Sequence, residues 1–425
     1  ASFLLQNRDL LVVIHLMRGR DIVVLQIGNS RSKGVYLSND EIQIISTDSG
    51  SLTLSSEVSI TDSTVYVGDV YVQDRYPCRT IRRAFRLLNR SIISPEAEEE
   101  MNLSSVPIVE DSEGRLAFHI EGSEKEFYYP EDIIMEIVRA LLKLCVQRSN
   151  ETITRCALVI PDGYSQEDSN AFKAAVEKVG LKVECLMEES VCLGWYIKEE
   201  HQFDTASVAW DDGYILVYNM GCCGFSSSII RRMDDKMLLA SSMDLSLGGK
   251  QITRLIIEYM ANTVQHRYKC DLLNGVEGSV TWVKEFNKLA RSVDEALVCL
   301  HDTDEIEIEF PATCRRFIHK KRESEDEYMT VSRADVKRIL DPFIRRSLNV
   351  CEMTLKKAGL RKDELFRVYP LGGCCYNPII QNELKQYFGS GIVVYNYDMS
   401  TCSVKGLGYY VRDNLCTCLL IRNMI

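Results

Sequence analysis

The sequence predicts an α/β protein made of two similar halves with a cleft between them. A strand, a helix and a second strand follow one another over residues 156–186, which indicates a parallel crossover. A hairpin-like pattern begins at Asp21 and begins again after Phe203, each time followed by helices. Glycine-containing turns also stand at the ends of predicted strands, and a cleft between two such halves is where a ligand is expected.

The composition is that of an ordinary globular protein. The chain has 425 residues, of which 46% are hydrophobic and 26% charged, and this suits two or three compact units. Its net charge of -11 argues against nucleic acid as the main partner. The apolar run over residues 3–17 is interrupted by charges and too short to span a bilayer, so no membrane contact is expected. Sixteen cysteines without a C-x-x-C pair favour a reducing compartment, the cytoplasm, over zinc binding or disulfide bonds.

The first half begins with strands and continues with helices. Residues 21–28 predict a buried strand, and residues 34–47 predict further short β-runs. Residues 79–90 have a helical pattern, in which the arginines would form a solvated basic face. The acidic stretch over residues 94–111 predicts a loop or an insertion. A core helix over 131–149, a strand over 156–160, a helix capped by Ser165 and a strand over 182–186 follow.

The second half repeats this order. Strands are predicted over residues 207–210, 214–220, 227–233, 237–241 and 367–370, and helices over 250–266, 281–300 and 333–357. A last helix has Asn377 as its N-cap and Pro378 in its first turn. We therefore expect an N-terminal extension over 1–20, a first lobe over 21–202, a second lobe over 203–395, and a return to the first lobe with a C-terminal tail over 396–425.

Four glycine-containing turns stand in a notable order, at residues 28–30, 211–213, 247–249 and 371–373. Glycine lets backbone N–H groups approach a phosphate closely. In order and spacing the turns resemble the first phosphate loop, the second phosphate loop, the L-G-G segment and the adenosine loop G-G-S-T-R-I-P of the seventy-kilodalton heat-shock (DnaK-type) chaperones. Further segments resemble the family's I-G-D, T-V-F-D-A-K-R-L-I-G-R, V-T-V-P-A-Y-F and N-E-P-T motifs, at residues 67–69, 80–90, 159–161 and 188–191.

The resemblance covers about residues 21–411 and implies the actin-like ATPase fold, with two lobes of duplicated ribonuclease-H-like subdomains around a nucleotide cleft. It implies ATP or ADP as the ligand, and the residues that would bind it are Gly28, Asn29, Ser30, Gly213, Gly248, Gly249, Gly372, Gly373 and Tyr376. Glu189 matches the acid of N-E-P-T, and Asp211 and Asp212 are weaker candidates for catalytic or magnesium-holding residues. The family's peptide-binding domain is not expected in this chain.

The departures from the family concern its chemistry. Gln26 replaces the aspartate of D-L-G-T-T near the magnesium, and an amide lacks the anionic oxygen that this cation prefers. Phe85 aligns with the catalytic lysine of D-A-K-R, where packing on an inner helix face is the simpler interpretation. In the second loop, D-L-G-G-G-T-F-D, Tyr214 would crowd the phosphates and Leu216 replaces the second aspartate. We therefore expect no ordinary magnesium site.

The sequence thus predicts a catalytically impaired relative that acts as a scaffold, adapter or regulator. Its partners would be proteins: a chaperone, a co-chaperone or a larger assembly. The alternative is a slow magnesium-dependent ATPase that uses Asp211, Asp212 and Glu189. Formation of actin-like polymers is a third hypothesis, which the D-A-K-R-like and L-G-G segments disfavour. The adjacent pairs Cys222–Cys223 and Cys374–Cys375 are expected to be small residues at tight sites rather than disulfides.

Overall fold

The structure is a computed structural model. It describes residues 21–38, 41–62, 64–200, 213–231, 237–273, 279–321 and 327–415. The predictions for residues 1–20, for the strand over 207–210, and for Asp211 and Asp212 lie outside the described residues.

Strands and helices follow one another along the chain. The strands are β1 (Ile22–Gln26), β2 (Arg31–Ser38), β3 (Glu41–Ile44), β4 (Leu54–Ser55), β5 (Val58–Ile60), β6 (Val65–Val67), β7 (Thr80–Ile81), β8 (Ile108–Glu110), β9 (Leu116–His119), β10 (Phe127–Tyr128), β11 (Arg155–Ile160), β12 (Lys182–Glu188), β13 (Tyr214–Met220), β14 (Phe225–Ile230), β15 (Leu238–Asp244), β16 (Glu305–Glu309), β17 (Tyr328–Ser332) and β18 (Leu365–Leu371). The α-helices are α1 (Val70–Arg75), α2 (Pro95–Met101), α3 (Pro130–Ser149), α4 (Gln166–Glu177), α5 (Glu189–Glu200), α6 (Gly249–Tyr268), α7 (Val280–Cys299), α8 (Ala312–Lys321), α9 (Arg333–Ala358), α10 (Pro378–Phe388) and α11 (Cys402–Tyr410).

Each lobe is built on one mixed sheet. In the first lobe the order is β12-β11-β1-β2-β3, with β4 paired to β2; β1, β11 and β12 are parallel, whereas β2 and β3 are antiparallel. In the second lobe the order is β15-β14-β13-β18, and only β13 and β18 are parallel. The two central strands, β1 and β13, therefore stand at corresponding places in similar sheets, as the predicted duplication requires.

Two helices, α5 and α11, connect the lobes. On one side, Cys192, Val404 and Leu407 pack with the apolar residues of the first sheet. On the other side, Leu193 and Ile197 pack with β13 and β18 of the second sheet. Both sheets thus share one apolar layer at the base of the cleft. Among the described residues, no helix combines the length and apolar character that crossing a membrane would require.

Most predicted elements are present, and several begin or end where expected. β13 spans the predicted residues, Ser165 caps α4 by accepting from the Asp168 N–H at 3.0 Å, and Asn377 caps α10 by accepting from the Ile379 N–H at 2.9 Å. Short helices that depend on side-chain caps can be recognised from the sequence because the capping residue itself carries the signal.

Two predictions in the first lobe are wrong. Residues 79–90 do not form an α-helix but the strand β7 and a single 3₁₀ turn over 84–87, because Arg83 takes a left-handed conformation with φ of 54° just before it. Of the two alternatives for the acidic stretch over 94–111, the loop is wrong, since the stretch contains α2 and β8. That the stretch is an insertion stays a prediction. The arginines of residues 79–90 also do not form a solvated face, because Arg82 pairs with Glu57 at 3.3 Å and Arg90 with Asp168 at 2.6 Å.

Candidate nucleotide cleft

A cavity of about 610 Å³ lies between the lobes. Residues of both sheets, of the turns that follow β1 and β13, and of α6 and α7 line it. Its volume is in the range of small-molecule sites, and clefts between domains are a common place for them.

The turn after β1 forms one wall of the cavity. Gln26, Gly28, Asn29 and Ser30 all line it. A Cβ atom at position 28 would lie 2.4 Å from the Arg31 carbonyl oxygen, so the turn needs glycine there. The buried Oε1 of Gln26 and Oδ1 of Asn29 have no hydrogen-bond partner in the protein, which leaves two acceptors for a ligand or water at this wall.

The turn between β13 and β14 forms the opposite wall. β13 runs towards the cavity and ends at Met220, and residues 221–224 then reverse the chain into β14. β13 begins at Tyr214, directly after Gly213, and Leu216 lies near its middle. None of these three residues lines the cavity. Leu216 is buried in the core of the second lobe, and the Tyr214 ring lies under the Arg231 guanidinium, 5.1 Å from ring centroid to Cζ. The prediction that Tyr214 crowds the phosphates is therefore wrong.

Two glycine-containing segments of the second lobe pack against this turn, which itself contains Gly221 and Gly224. The N–H groups of Gly249 and Lys250 donate to the carbonyls of Gly221 and Cys222, both at 2.9 Å. A Cβ at Gly248 would lie 2.6 Å from the Cys222 carbonyl oxygen, and one at Gly372 would lie 2.3 Å from that of Met220. The L-G-G segment and the G-G loop are thus close to the cavity because small residues let three backbones meet.

The cysteine pairs lie in these same segments. The sulfur atoms of Cys222 and Cys223 are 3.4 Å apart, and the Cys374 thiol donates to the Gly221 carbonyl at 3.4 Å. All cysteines among the described residues are free thiols. This agrees with the expectation of small residues at tight sites.

Glu189 lies at the base of the cleft and accepts hydrogen bonds from both lobes. Gln26 Nε2 donates to its Oε1 at 2.6 Å, Asn219 Nδ2 donates to its Oε2 at 2.8 Å, and Ser403 Oγ lies 3.4 Å from Oε1. Both amides direct their N–H groups at the oxygens of this carboxylate, which accept. The two side chains that reach Glu189 from the ends of β1 and β13 are therefore neutral donors.

This arrangement does not fit a magnesium ion. Magnesium prefers anionic oxygens in octahedral geometry. Glu189 offers one carboxylate, and its oxygens already accept from Gln26 and Asn219. Within the described residues, no three carboxylate, histidine or cysteine side chains come together as a metal site.

A second buried carboxylate, Asp162, also bridges the lobes. Its Oδ1 accepts from the Ser190 N–H at 3.0 Å and from the Ser190 hydroxyl at 2.7 Å, and its Oδ2 lies 3.4 Å from Ser226 Oγ on β14. Burial raises the pKa of Asp162 to about 6, although the two Ser190 hydrogen bonds oppose the shift. Asp162 is not among the candidate site residues that the sequence predicts.

The remaining wall is formed by α7 and by the loop after β18. Arg291 and Asp294 line the cavity from α7, as does Tyr376 from the loop. Burial raises the pKa of Asp294, whose carboxylate accepts from the Thr253 hydroxyl. Tyr376 remains partly exposed, so its ring is free to stack on a planar group in the cleft.

Most of the predicted ligand-binding residues lie together. The predicted ligand-binding residues that line the cavity are Gly28, Asn29, Ser30, Gly249, Gly372, Gly373 and Tyr376. It is also lined by Glu189, a candidate catalytic residue, and by Gln26 and Phe85, which were predicted to replace family residues. Gly248 is one residue away, packed on the Cys222 carbonyl.

Two lobes with related sheets, joined at their base and separated by a glycine-lined cleft, define the actin-like ATPase fold. Within this class, the sequence model of the Hsp70 protein family matches residues 22–394. The chain therefore belongs to the Hsp70 family. It is also similar to the chaperone protein DnaK of Burkholderia cepacia, with 22% identity over 376 residues. That match covers 87% of this chain and 55% of the relative, so the chain spans about half the length of that protein.

Sequence reasoning missed the turn that faces the cavity in the second lobe. Once the hairpin is placed, the family's D-L-G-G-G-T-F-D compares with residues 219–226, where only Gly221 and Phe225 are retained. In this comparison, Asn219 and Ser226 align with the first and the last aspartate of the family motif. The available signal was the Gly-x-x-Gly spacing of Gly221 and Gly224 between two predicted strands, which predicts a hairpin turn.

Proposed function

We propose that the chain is a hydrolysis-impaired Hsp70-type domain that acts as a scaffold, adapter or regulator of a protein assembly or of an active chaperone. The observation that carries this proposal is the pair of amides on Glu189. Gln26 and Asn219 stand at the ends of the two central strands, and each presents an N–H group where a cation would need an anionic oxygen. The free thiols of the described residues fit a reducing compartment, which we propose to be the cytoplasm.

ATP or ADP remains the proposed ligand of the cleft. The cavity has room for a small molecule, and the unpartnered Gln26 and Asn29 oxygens leave hydrogen-bonding capacity for one. Since Gln26 and Asn219 present amides to Glu189, we propose that binding depends on the polar and basic side chains of the cleft rather than on a bridging cation. We therefore expect weak binding that does not require magnesium.

Single-turnover hydrolysis of ATP tests the proposal. With saturating protein and magnesium, we expect a rate indistinguishable from that of buffer alone. A magnesium-dependent rate that is abolished by Glu189→Gln would instead establish the alternative, a slow ATPase. Calorimetric titration of the protein with ADP should give the same affinity in buffer with magnesium as in buffer with EDTA.

A variant with restored carboxylates provides the positive control. In Gln26→Asp/Asn219→Asp, three carboxylates would converge at the base of the cleft and should bind the cation. Because a ligand of the folded state raises its stability, magnesium should raise the Tm of this variant and leave that of the natural chain unchanged.

A further inference from the structure

A group of buried charges joins the two lobes beside the cleft. Glu99 and Glu100, on α2 of the first lobe, lie between Arg83 and Arg86 of the same lobe and Lys250 of the second lobe. Glu100 Oε2 is 2.7 Å from Arg83 Nε, and its Oε1 is 2.9 Å from Arg86 Nη1 and 2.7 Å from Lys250 Nζ. Glu99 is 2.6 Å from Arg86 Nη2 and 3.1 Å from Lys250 Nζ. We call these five residues the charge clamp.

The clamp is shielded from solvent. The side chains of Glu100, Arg86 and Lys250 are 2%, 7% and 8% exposed. Burial alone would raise the pKa of Glu100, but Arg83 and Lys250 outweigh burial and hold the pKa at about 2. The carboxylate is therefore ionised at neutral pH, and its ion pairs act with little screening by water or salt.

The helix α2 is built to present these carboxylates. Ser94 caps its N-terminus by accepting from the Ala97 N–H at 3.2 Å, and Pro95 occupies the first turn. Ala97 and Glu100 are three residues apart and form the buried face of the helix, which brings Glu100 inward.

Further hydrogen bonds cross from one lobe to the other at the same place. Gln251 Nε2 donates to Glu99 Oε1 at 2.9 Å, and Arg86 Nη2 donates to the Leu245 carbonyl at 3.1 Å. The first turn of α6 is thus held to α2 by Lys250 and Gln251 together. An anionic ligand can close a two-lobed cleft by drawing cations from both sides towards it. Here the anions belong to the chain itself.

We propose that Glu99 and Glu100 hold the lobes together without a nucleotide, as an internal anion that binds the cations of both lobes. The inference goes beyond the loss of hydrolysis, because it concerns the ligand-free protein. It assigns a role to the acidic stretch over 94–111, which the catalytic departures do not explain.

The test uses Lys250→Met in the full chain without ligand. This change removes the cross-lobe cation and leaves two acids and two arginines balanced in the first lobe, so the variant is expected to fold. We expect a larger radius of gyration by small-angle X-ray scattering. We also expect at least tenfold faster amide exchange at residues 26–30, on the far side of the cleft from Lys250. Adding ADP to the natural chain should change neither quantity.

The matched control is Asp74→Asn. It removes a second ion pair between the lobes, Asp74 with Arg291, whose side chains are 42% and 37% exposed. Exposed pairs contribute little, so this variant should behave as the natural chain does. Unchanged scattering and exchange in folded Lys250→Met would overturn the proposal, as would an equal effect of Asp74→Asn or compaction of the natural chain by ADP.

If Lys250→Met does not unfold cooperatively, and is therefore not properly folded, a second variant tests the proposal instead. Glu99→Gln removes the more exposed carboxylate and keeps the pairs of Glu100. It should increase exchange at residues 26–30 by a smaller factor, and no increase would overturn the proposal. None of these readouts involves hydrolysis, so failure of the clamp and failure of the proposed function are distinguishable.

Discussion

Phe85, which the sequence resemblance aligns with the lysine of D-A-K-R, is 4% exposed. Its ring contacts Phe172 edge-on at 5.0 Å between centroids and stacks near Tyr164 at 5.8 Å. A lysine ammonium among these aromatic rings would lose its hydration. The aromatic neighbours therefore suit phenylalanine, and they would have to change before a lysine could return.

Asp162 leads to a prediction about pH. Its pKa is about 6 in the folded protein and near 3.8 when exposed, so the folded state binds the proton more tightly. The stability associated with this group is complete below pH 4 and is lost as the pH rises through 6. The variant Asp162→Asn has no ionisable group at this position, so it does not lose stability in this way as the pH rises. We expect the unfolding free energy of the variant, relative to the natural chain, to improve by about 2 kcal/mol between pH 4 and pH 7.5. Urea unfolding at both pH values measures it.

The control for this prediction is Asp168→Asn. Burial tends to raise the pKa of Asp168, but hydrogen bonds from Arg90 and Asn89 outweigh burial and lower it. Because this group is ionised in both states above pH 5, the effect of the substitution should be the same at pH 5.5 and pH 7.5. If the Asp162→Asn difference is also independent of pH, burial does not raise the pKa of Asp162.

In the loop after β18, two neighbouring glycines have different requirements. Gly372 has φ of +88°, and a Cβ there would lie 2.3 Å from the Met220 carbonyl oxygen, whereas a Cβ at Gly373 would meet no atom within 4 Å. We expect Gly372→Ala to lower the unfolding free energy by about 2 kcal/mol or more, because strain and collision add. Gly373→Ala should change it by less than about 0.5 kcal/mol. Equal effects in urea unfolding would contradict this account of the loop.

Elements with local signals were predictable, whereas features made by distant residues were not. β13 and the Asn377 cap follow from residues within a few positions. The turn at 221–224 was missed because cysteines stand where the family motif has two glycines, and because the nearby Asp-Asp-Gly at 211–213 offered a competing match. The charge clamp could not be predicted, since Glu100 and Lys250 are 150 positions apart and only the fold brings them together.

At the scale of the whole molecule, the lobes are joined in two physically different ways. The helices α5 and α11 share apolar residues with both sheets at the base of the cleft. The charge clamp joins α2 to α6 beside the cavity through ion pairs. Apolar packing is non-directional and is lost only when the helices separate, whereas the clamp depends on five side chains. We therefore expect the helix pair at the base of the cleft to act as a hinge, and the charge clamp at its side to be a contact that can be released.

The crossing of α5 and α11 yields the last prediction. A Cβ at Gly406 would lie 1.8 Å from the Cys192 carbonyl oxygen, so Gly406→Ala must push the helices apart. We expect Gly406→Ala to lower the unfolding free energy by about 3 kcal/mol and to unfold in two separate calorimetric transitions. The reason is that the lobes would no longer share a packed layer. Gly391→Ala, where a Cβ meets no atom within 4 Å, is the control. Lys250→Met should keep one transition while opening the cleft, and a split transition in that variant would mean that the clamp, not the helix pair, couples the lobes.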